Sequence, residues 1–211
     1  MDEIKNILEQ NENILWEGSP KFWPFFFSGS IGTLIFGIFW MIFLIPFIAV
    51  AVYDILFGSH LFGFGILLLP HFWIGVVLIF GIPLYLFLSY KNIHYAITDK
   101  RVIMQRGWIG RSFETIDFDQ VTNTEVNVGI FDKLFGGNSG SILISTAGSF
   151  TYTRQGGAVK PYTMRNILNP YQVYKFFEKV ERDIKTDIEY PNKFRPAENP
   201  GYKTDYDPNK K

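Results

Sequence analysis

The stretch YAITDKRVIMQRG, residues 95–107, places two short runs of β-branched and apolar residues on either side of Asp99-Lys100. Such runs around a polar pair are typical of two antiparallel strands joined by a tight turn. The stretch begins five residues after Tyr90, the last residue of a long apolar segment. A small β-sheet is therefore predicted to follow directly on a membrane segment.

The apolar segment, residues 22–90, contains one formally charged residue, Asp54. A run this long and this apolar belongs in lipid. Two crossings are predicted, at about residues 25–52 and 72–90, because one bilayer span needs about 20 apolar residues. The alternative adds a third crossing over residues 46–70, which would bring Asp54 to the bilayer centre at a cost of about 2.5–3.5 kcal/mol.

Basic residues near the ends of the apolar segment predict its orientation. Lys21 precedes the segment and Lys91 follows it, whereas the connection between the two predicted spans has no Lys or Arg. Cytoplasmic loops carry an excess of these residues, so both termini are predicted to be cytoplasmic in a multi-pass protein of the cell membrane. The predicted organisation is a cytoplasmic N-terminal segment at 1–21, a transmembrane hairpin at 22–90, a cytoplasmic domain at 91–189 and a disordered tail with prolines at 190–211.

Small residues recur at every fourth position in the first predicted span, at Gly29, Thr33 and Gly37. A stripe of this kind allows two helices to approach closely. It predicts a helix–helix contact, either within the hairpin or between two copies of the chain.

After Tyr90 the apolar pattern changes from helical to alternating. Six short segments have the composition of strands and are bounded by Gly, Asn, Asp or Ser, at residues 94–98, 101–106, 112–118, 121–128, 141–146 and 150–154. A helix is predicted next, because Asn169 suits an N-cap, Pro170 suits the first helical position, and apolar residues recur with helical spacing from Val173 to Ile184. The predicted fold is a membrane α-helical hairpin followed by a mainly-β split barrel with a C-terminal capping helix.

The order of four sequence pieces carries a family resemblance: YAITDKRVIMQRG, then FDQVTNTEV, then GIFDKLFGGNSGSILISTAG, and then ILNPYQVYKFFEKVERDI. Together with ILWEGSPKFWP before a two-span hairpin, this order resembles the bacterial pleckstrin-homology-like (PH-like) domain family of small membrane proteins, over about residues 7–188. The resemblance implies a PH-like split barrel with a C-terminal helix. It implies no particular ligand, because PH-like domains serve many binding roles.

Composition argues against several classes of function. The chain has no cysteine and three histidines, so no disulfide, thiol chemistry or zinc cluster is expected, and no cofactor is predicted. Its formal net charge of zero argues against nucleic-acid binding driven by bulk charge. Asp117 and Asp119 share a predicted strand face, but without a pocket or a partner base a solvated face is expected. The chain is therefore predicted not to be an enzyme.

The predicted function is that of a membrane-anchored, non-enzymatic binding or scaffold module at the cytoplasmic membrane face. Beyond the lipid bilayer itself, its expected partners are unknown membrane or cytoplasmic proteins, or further copies of the chain in a homo-oligomer. Trp108 and Phe113 are expected to be exposed. Candidate contacts with a partner or with lipid are Lys91, Lys100, Arg101, Arg106, Trp108 and Arg111. By contrast, Phe131, Leu134 and Phe135 are expected to form a short turn that covers the core.

Two alternative functions stay open. Between Lys91 and Arg111 five basic residues oppose one acid, and this local net charge of +4 could serve an anionic-lipid-sensing module. The ionisable residues Asp54, His60 and His71 could instead belong to a membrane transport complex. With two crossings, these three residues lie in or near the outer connection, where they would be solvated.

Overall fold

The computed structural model describes residues 2–58, 61–135, 137–146, 150–153, 156–159 and 161–189. The chain divides into two compact units. One contains residues 26–91, and we call it the membrane segment; the other, which we call the β-domain, combines residues 1–25 with residues 92–211. The predicted tail at 190–211 lies outside the described residues.

Two apolar helical segments are long enough to cross a bilayer. A short helix α1 (Asp2–Lys5) and strand β1 (Ile14–Gly18) precede the first of them, α2 (Phe22–Phe57). The second, Pro70–Tyr90, is made of α4 (Pro70–Val76), a π-helical segment (Val77–Gly81) and α5 (Ile82–Tyr90), and α3 (Leu61–Leu68) lies before it in the chain. Helix α2 continues through Pro46 to Phe57, and the number of membrane crossings stays a prediction.

Eight strands follow Tyr90 among the described residues. They are β2 (His94–Thr98), β3 (Arg101–Arg106), β4 (Ser112–Asp117), β5 (Val121–Asn127), β6 (Ser139–Thr146), β7 (Phe150–Thr153), β8 (Gly156–Val159) and β9 (Tyr162–Leu168). All six predicted strand positions hold strands. β1, β8 and β9 were not predicted.

The strands form two antiparallel sheets and a hairpin. Sheet 1 has the order β1-β2-β3-β4 and sheet 2 has the order β5-β6-β9, and within the part of the chain that the structure describes β7 pairs only with β8. Strands β4 and β5 are consecutive in the chain but belong to different sheets, and a 3₁₀ turn (Phe118–Gln120) joins them. This break between β4 and β5 is the split of the barrel.

Strands β2 and β3, at the centre of sheet 1, are buried on both faces, which explains their nearly continuous apolar runs. Side chains alternate between the two faces of a strand. Tyr95 is buried on one face, and its hydroxyl accepts a hydrogen bond of 3.0 Å from the backbone amide of Arg165 in β9. Ala96 and Ile103 are fully buried on the other face, in a cluster with Ile4 from α1.

The N-terminal residues supply the cover for that second face. Ile7, Leu8 and Ile14 pack against the cluster of Ile4, Ala96 and Ile103, and β1 then pairs antiparallel with β2. We call residues 2–18 the N-terminal strap. The prediction treated residues 1–21 as a segment before the membrane, without a strand, whereas the structure groups the strap with the β-domain.

A C-terminal helix, α7 (Pro170–Glu189), packs against sheet 2 and the 3₁₀ turn. Val173, Phe177 and Val180 are buried along one side of it, and the rings of Phe177 and Phe118 lie 5.6 Å apart. Asn169 precedes the helix, as predicted, and its carbonyl accepts hydrogen bonds from two amides of the first turn. The predicted split barrel with a C-terminal capping helix is confirmed.

Candidate binding surfaces

An ion pair between Arg101 and Glu12 fastens the N-terminal strap to sheet 1. Arg101 donates to the Glu12 carboxylate from Nε at 3.0 Å and from Nη2 at 2.9 Å. The same Nη2 donates to the carbonyl of Ile7 at 3.0 Å. The Glu12 side chain has no exposed area, and that of Arg101 is 17% exposed. Paired forks of this kind are among the stronger charge-assisted hydrogen bonds.

Glu12 receives two further hydrogen bonds at 2.8 Å, from the Thr98 hydroxyl and from the backbone amide of Glu9. Burial is the largest single influence on the Glu12 carboxyl, and alone it would raise the pKa. The hydrogen bonds from Arg101, Glu9 and Thr98 together outweigh it and hold the pKa of Glu12 below its ordinary value. Hydrogen bonding to Glu12 correspondingly raises the pKa of Arg101. The strap is therefore held by an ionised carboxylate.

The other predicted contact residues of the β-domain also have acidic partners. Lys100 lies 2.9 Å from the carboxylate of Glu9, and Arg111 lies 2.8 Å from that of Glu3. Both acids belong to the strap. Arg106 donates to the carbonyl of Thr163 at 3.0 Å and lies 3.5 Å from the Glu114 carboxylate. The cations are thus distributed among intramolecular ion pairs.

This pairing changes the charge that the local sequence indicated. Residues 91–111 alone carry a net charge of +4, and the three strap acids that pair with them, Glu3, Glu9 and Glu12, reduce it to +1. The role of Lys91, Lys100, Arg101, Arg106, Trp108 and Arg111 in contacts with a partner or with lipid stays a prediction. Lys91 is exposed and belongs to the other unit, with the membrane segment.

The loop between β3 and β4 exposes two apolar side chains. Ile109 is 84% exposed and Trp108 is 44% exposed. The Asn92 side chain donates to the carbonyl of Trp108 at 3.3 Å. Phe113, in contrast, packs against the buried cluster under the strap, so the expectation that it is exposed was wrong. The reason is that the strap covers the sheet face on which Phe113 lies.

The short helix α6 (Ile130–Phe135) presents apolar side chains to solvent. Ile130 is 74% exposed, Leu134 is 66% exposed and Phe135 is 50% exposed. Its buried position is occupied by Asp132, whose carboxylate accepts hydrogen bonds from Ser139 Oγ (2.7 Å), Asn166 Nδ2 (2.9 Å) and the Gly129 amide (3.0 Å). The expectation that Leu134 and Phe135 cover the core was therefore wrong, because a polar residue faces inward in their place.

Strand β5 forms an edge of sheet 2. Within the described residues it pairs with β6 alone, and α7 covers its first residue, since Lys185 Nζ donates to the Val121 carbonyl at 2.8 Å. Beyond that point Asn123, Glu125 and Asn127 are exposed. An edge strand presents backbone amides and carbonyls that an added strand can pair with.

In the membrane segment, Gly29 and Gly37 lie against the second span. A Cβ atom at Gly29 would come within 2.9 Å of Leu86, and one at Gly37 within 2.9 Å of Ile79. Thr33 donates instead to the carbonyl of Ser30 in its own helix, at 2.8 Å. The two glycines thus have the close helix approach that a small-residue stripe allows, and they have it within one chain.

The ionisable residues of the membrane segment have local structural partners. Asp54 accepts a hydrogen bond of 2.9 Å from the backbone amide of Gly63, near the start of α3. The His71 ring stacks on Trp40, whose Nε1 donates to the His71 carbonyl at 2.9 Å. His60 lies outside the described residues. Among the residues that are described, no group of three or more His, Cys, Asp or Glu side chains could hold a metal ion.

The family model described as bacterial PH domain matches residues 30–180. The chain belongs to this bacterial PH domain family. No curated protein matches the chain, and no solved structure matches it. The family assignment and the two apolar helices agree with the membrane-anchored PH-like architecture that the sequence predicted, and a bacterial PH domain indicates a binding module.

Three features of the candidate surfaces escaped the sequence prediction. The strap's acids lie 89 to 108 residues from their basic partners in the chain, so a count of local charge could not pair them. The inward orientation of Asp132 depends on Asn166 in β9, a strand that was not predicted. The exposure of β5 depends on how the two sheets separate. The only signal in the sequence was the acidic composition of residues 2–17, which complements the basic stretch.

Proposed function

We propose that this PH-like domain is a non-enzymatic binding module that recruits a protein partner to the cytoplasmic face of the membrane. The partner would add an extended segment to the edge of β5, over about residues 123–127. Main-chain hydrogen bonds would supply affinity, and the alternating side chains of β5 would supply selectivity. The observation that carries the proposal is the separation of β4 from β5, which leaves the edge of β5 without a strand partner among the described residues.

Membrane anchoring supports this proposal. Two apolar helices confine the domain to a thin layer beside the bilayer, which raises its effective concentration toward other membrane proteins. A weak contact along one strand can then be occupied. A second copy of the chain is one such partner, because an edge strand can pair with the same edge of another molecule.

Anionic-lipid sensing has weaker support. It relied on the net charge of residues 91–111, and the strap offsets most of that charge with Glu3, Glu9 and Glu12. The buried pair of Arg101 with Glu12 would have to break before Arg101 could meet a headgroup. The cost of leaving the Glu12 carboxylate buried and unpaired opposes that exchange.

The proposed topology has two crossings with both termini in the cytoplasm. Because the chain contains no cysteine, single cysteines can test it without a background. We expect Ser59→Cys to react with a membrane-impermeant maleimide in intact cells, and Glu125→Cys to react only after the cells are opened. The reverse result would contradict the proposed orientation.

Site-specific photo-crosslinking in native membranes tests the binding proposal. A photoreactive amino acid is placed at Asn123 or Glu125 on β5, and at Lys179, an exposed position on α7, as the matched control. We expect the two β5 positions to give the same discrete protein adduct, identified by mass spectrometry as one partner or as the chain itself. Equal labelling from Lys179, or adducts with lipid alone, would contradict a protein site on β5.

A further inference from the structure

Two sets of exposed apolar side chains in the β-domain are tied by hydrogen bonds to residues that adjoin the membrane segment in the sequence. One set is on α6, and the other is in the β3–β4 loop. We define the apolar footprint as Trp108, Ile109, Ile130, Leu134 and Phe135. The hydrogen bonds that fix the position of each set join residues of the β-domain only.

Two hydrogen bonds connect α6 with the start of α2. The backbone amide of Lys21 donates to the carbonyl of Asn166 at 2.8 Å, and the Asn166 side chain donates to Asp132 at 2.9 Å. Lys21 immediately precedes α2, and Asp132 is the buried residue of α6. Asn166 has a left-handed backbone conformation, with φ of 50°, which asparagine tolerates better than most residues. Helix α6 is thus fixed close to the residue that leads into the first span.

The β3–β4 loop is similarly fixed to a residue that closely follows the second span in the sequence. Asn92 donates to the Trp108 carbonyl at 3.3 Å, and it follows the end of α5 at Tyr90 by two residues. The pairing of His94 with Gln105 also places the start of β2 and the end of β3 at the same end of sheet 1. Two residues of chain span about 7 Å at most, so Asn92, which holds this loop, is separated from the last residue of α5 by no more than that length of chain.

The length of the second span and the composition at the start of α2 indicate that these points lie near the bilayer surface. Pro70–Tyr90 has 21 residues, and at 1.5 Å per residue it matches the roughly 30 Å hydrocarbon thickness. Helix α2 opens with FWPFFF, residues 22–27, so its first turns are apolar and aromatic from the start. Aromatic residues concentrate at the interface between lipid and water.

We infer that the apolar footprint rests in the interface of the lipid bilayer and holds the PH-like domain against the membrane at two contacts. Both sets of side chains are apolar, and each is tied to a residue that adjoins an apolar span in the sequence, so lipid is the expected occupant of both. Lys133, also exposed on α6, lies next to Leu134 and can extend its ammonium group to the headgroups. The inference requires α2 and Pro70–Tyr90 to lie in lipid, and it does not depend on a protein partner at β5.

Fluorescence quenching on full-length protein in phosphatidylcholine nanodiscs tests this inference. Single-cysteine variants Ile109→Cys and Leu134→Cys are labelled with an environment-sensitive NBD dye. The control is Asp119→Cys, which is exposed and follows the opposite end of sheet 1, where Arg101 pairs with Asp117. We expect the first two labels to show blue-shifted emission, quenching by nitroxide-bearing lipids and little quenching by iodide, and the control label to show the reverse.

Each alternative result has a distinct meaning. If the labels at 109 and 134 are quenched by iodide as strongly as the label at 119, the footprint is in water and the inference is wrong. If both labels are shielded from iodide and also from lipid nitroxides, a protein surface covers the footprint and lipid is the wrong occupant. If only one label meets lipid, the two-contact arrangement is overturned.

Discussion

Replacing Glu12 with glutamine should release the N-terminal strap from sheet 1. Glutamine keeps the size of the side chain, but it removes the charge that Arg101 meets through two hydrogen bonds of 3.0 and 2.9 Å. Removing one partner of a buried ion pair costs about 3–5 kcal/mol. Arg101 would retain the Ile7 carbonyl and the Glu9 carboxylate, the latter at 3.8 Å. We therefore expect the lower end of the range, about 3 kcal/mol.

Hydrogen exchange of the full chain in nanodiscs, measured by mass spectrometry, reports directly on the opening of the strap. The strap is a local unit whose β1 amides pair with β2, and local opening governs their exchange. A loss of about 3 kcal/mol should raise the open population of residues 14–18 by about a hundredfold. Exchange in β6, at the centre of sheet 2, should change far less.

Two matched variants separate the buried ion pair from general loss of charge. Glu9→Gln removes a carboxylate that is 57% exposed, so it should change strap exchange very little. Arg101→Lys keeps the charge but loses the fork geometry, and it should fall between wild type and Glu12→Gln. Strap exchange in Glu12→Gln within about twofold of wild type, where about a hundredfold is expected, would refute the reasoning. An equally large effect from Glu9→Gln would refute it as well.

Three further predictions concern the pH dependence of the Glu12 ion pair, the helix contact at Gly37 and the hydrogen bonds of Asp132. The pKa of Glu12 is held below its ordinary value of 4.5, so the stabilisation from its ion pair with Arg101 is fully present above that pH and is lost as the pH falls through the lower, folded-state pKa. The difference in Tm between wild type and Glu12→Gln should therefore decrease over the same pH range and vanish in acid. Gly37→Leu should lower the Tm in detergent, because the new side chain meets the second span, whereas Gly32→Leu, where nothing lies within 4 Å, should not. Asp132→Asn should lower the free energy of unfolding by about 2 kcal/mol, because the new side-chain NH2 group would face one of the donors that now bind the carboxylate. The control Lys133→Asn, on the exposed side of α6, should change it by less than about 0.5 kcal/mol.

Local sequence patterns predicted the elements whose signals are contained within a few residues. The β2–β3 hairpin has a polar turn between two apolar runs, and α7 has Asn169-Pro170 at its start followed by apolar residues with helical spacing. The two long helices are determined by apolar composition alone. These elements can be predicted without knowing which other residues contact them, and for that reason the fold class could be predicted.

Strands β1 and β9 could not be predicted in the same way, because distant partners define them. β1 pairs with β2, about 80 residues later, and β9 joins sheet 2 beside β6 after the intervening β7–β8 hairpin. Residues 14–18 read as a short apolar piece before a membrane segment, and the Asn166 within β9 interrupts the strand pattern with its left-handed conformation. The ion pairs of the strap depend on β1, so they were missed together with it.

The strap also limits where the PH-like domain can bind a partner. It covers the second face of sheet 1, and α7 covers the 3₁₀ turn and part of sheet 2. A ligand on either face would have to displace buried apolar side chains, and on the strap side it would also have to displace the carboxylate of Glu12. A partner that binds at a strand edge or at the apolar footprint would not have to displace buried side chains. Selectivity in this domain is therefore expected to come from its edges, and variation in strap charge should affect stability before it affects binding.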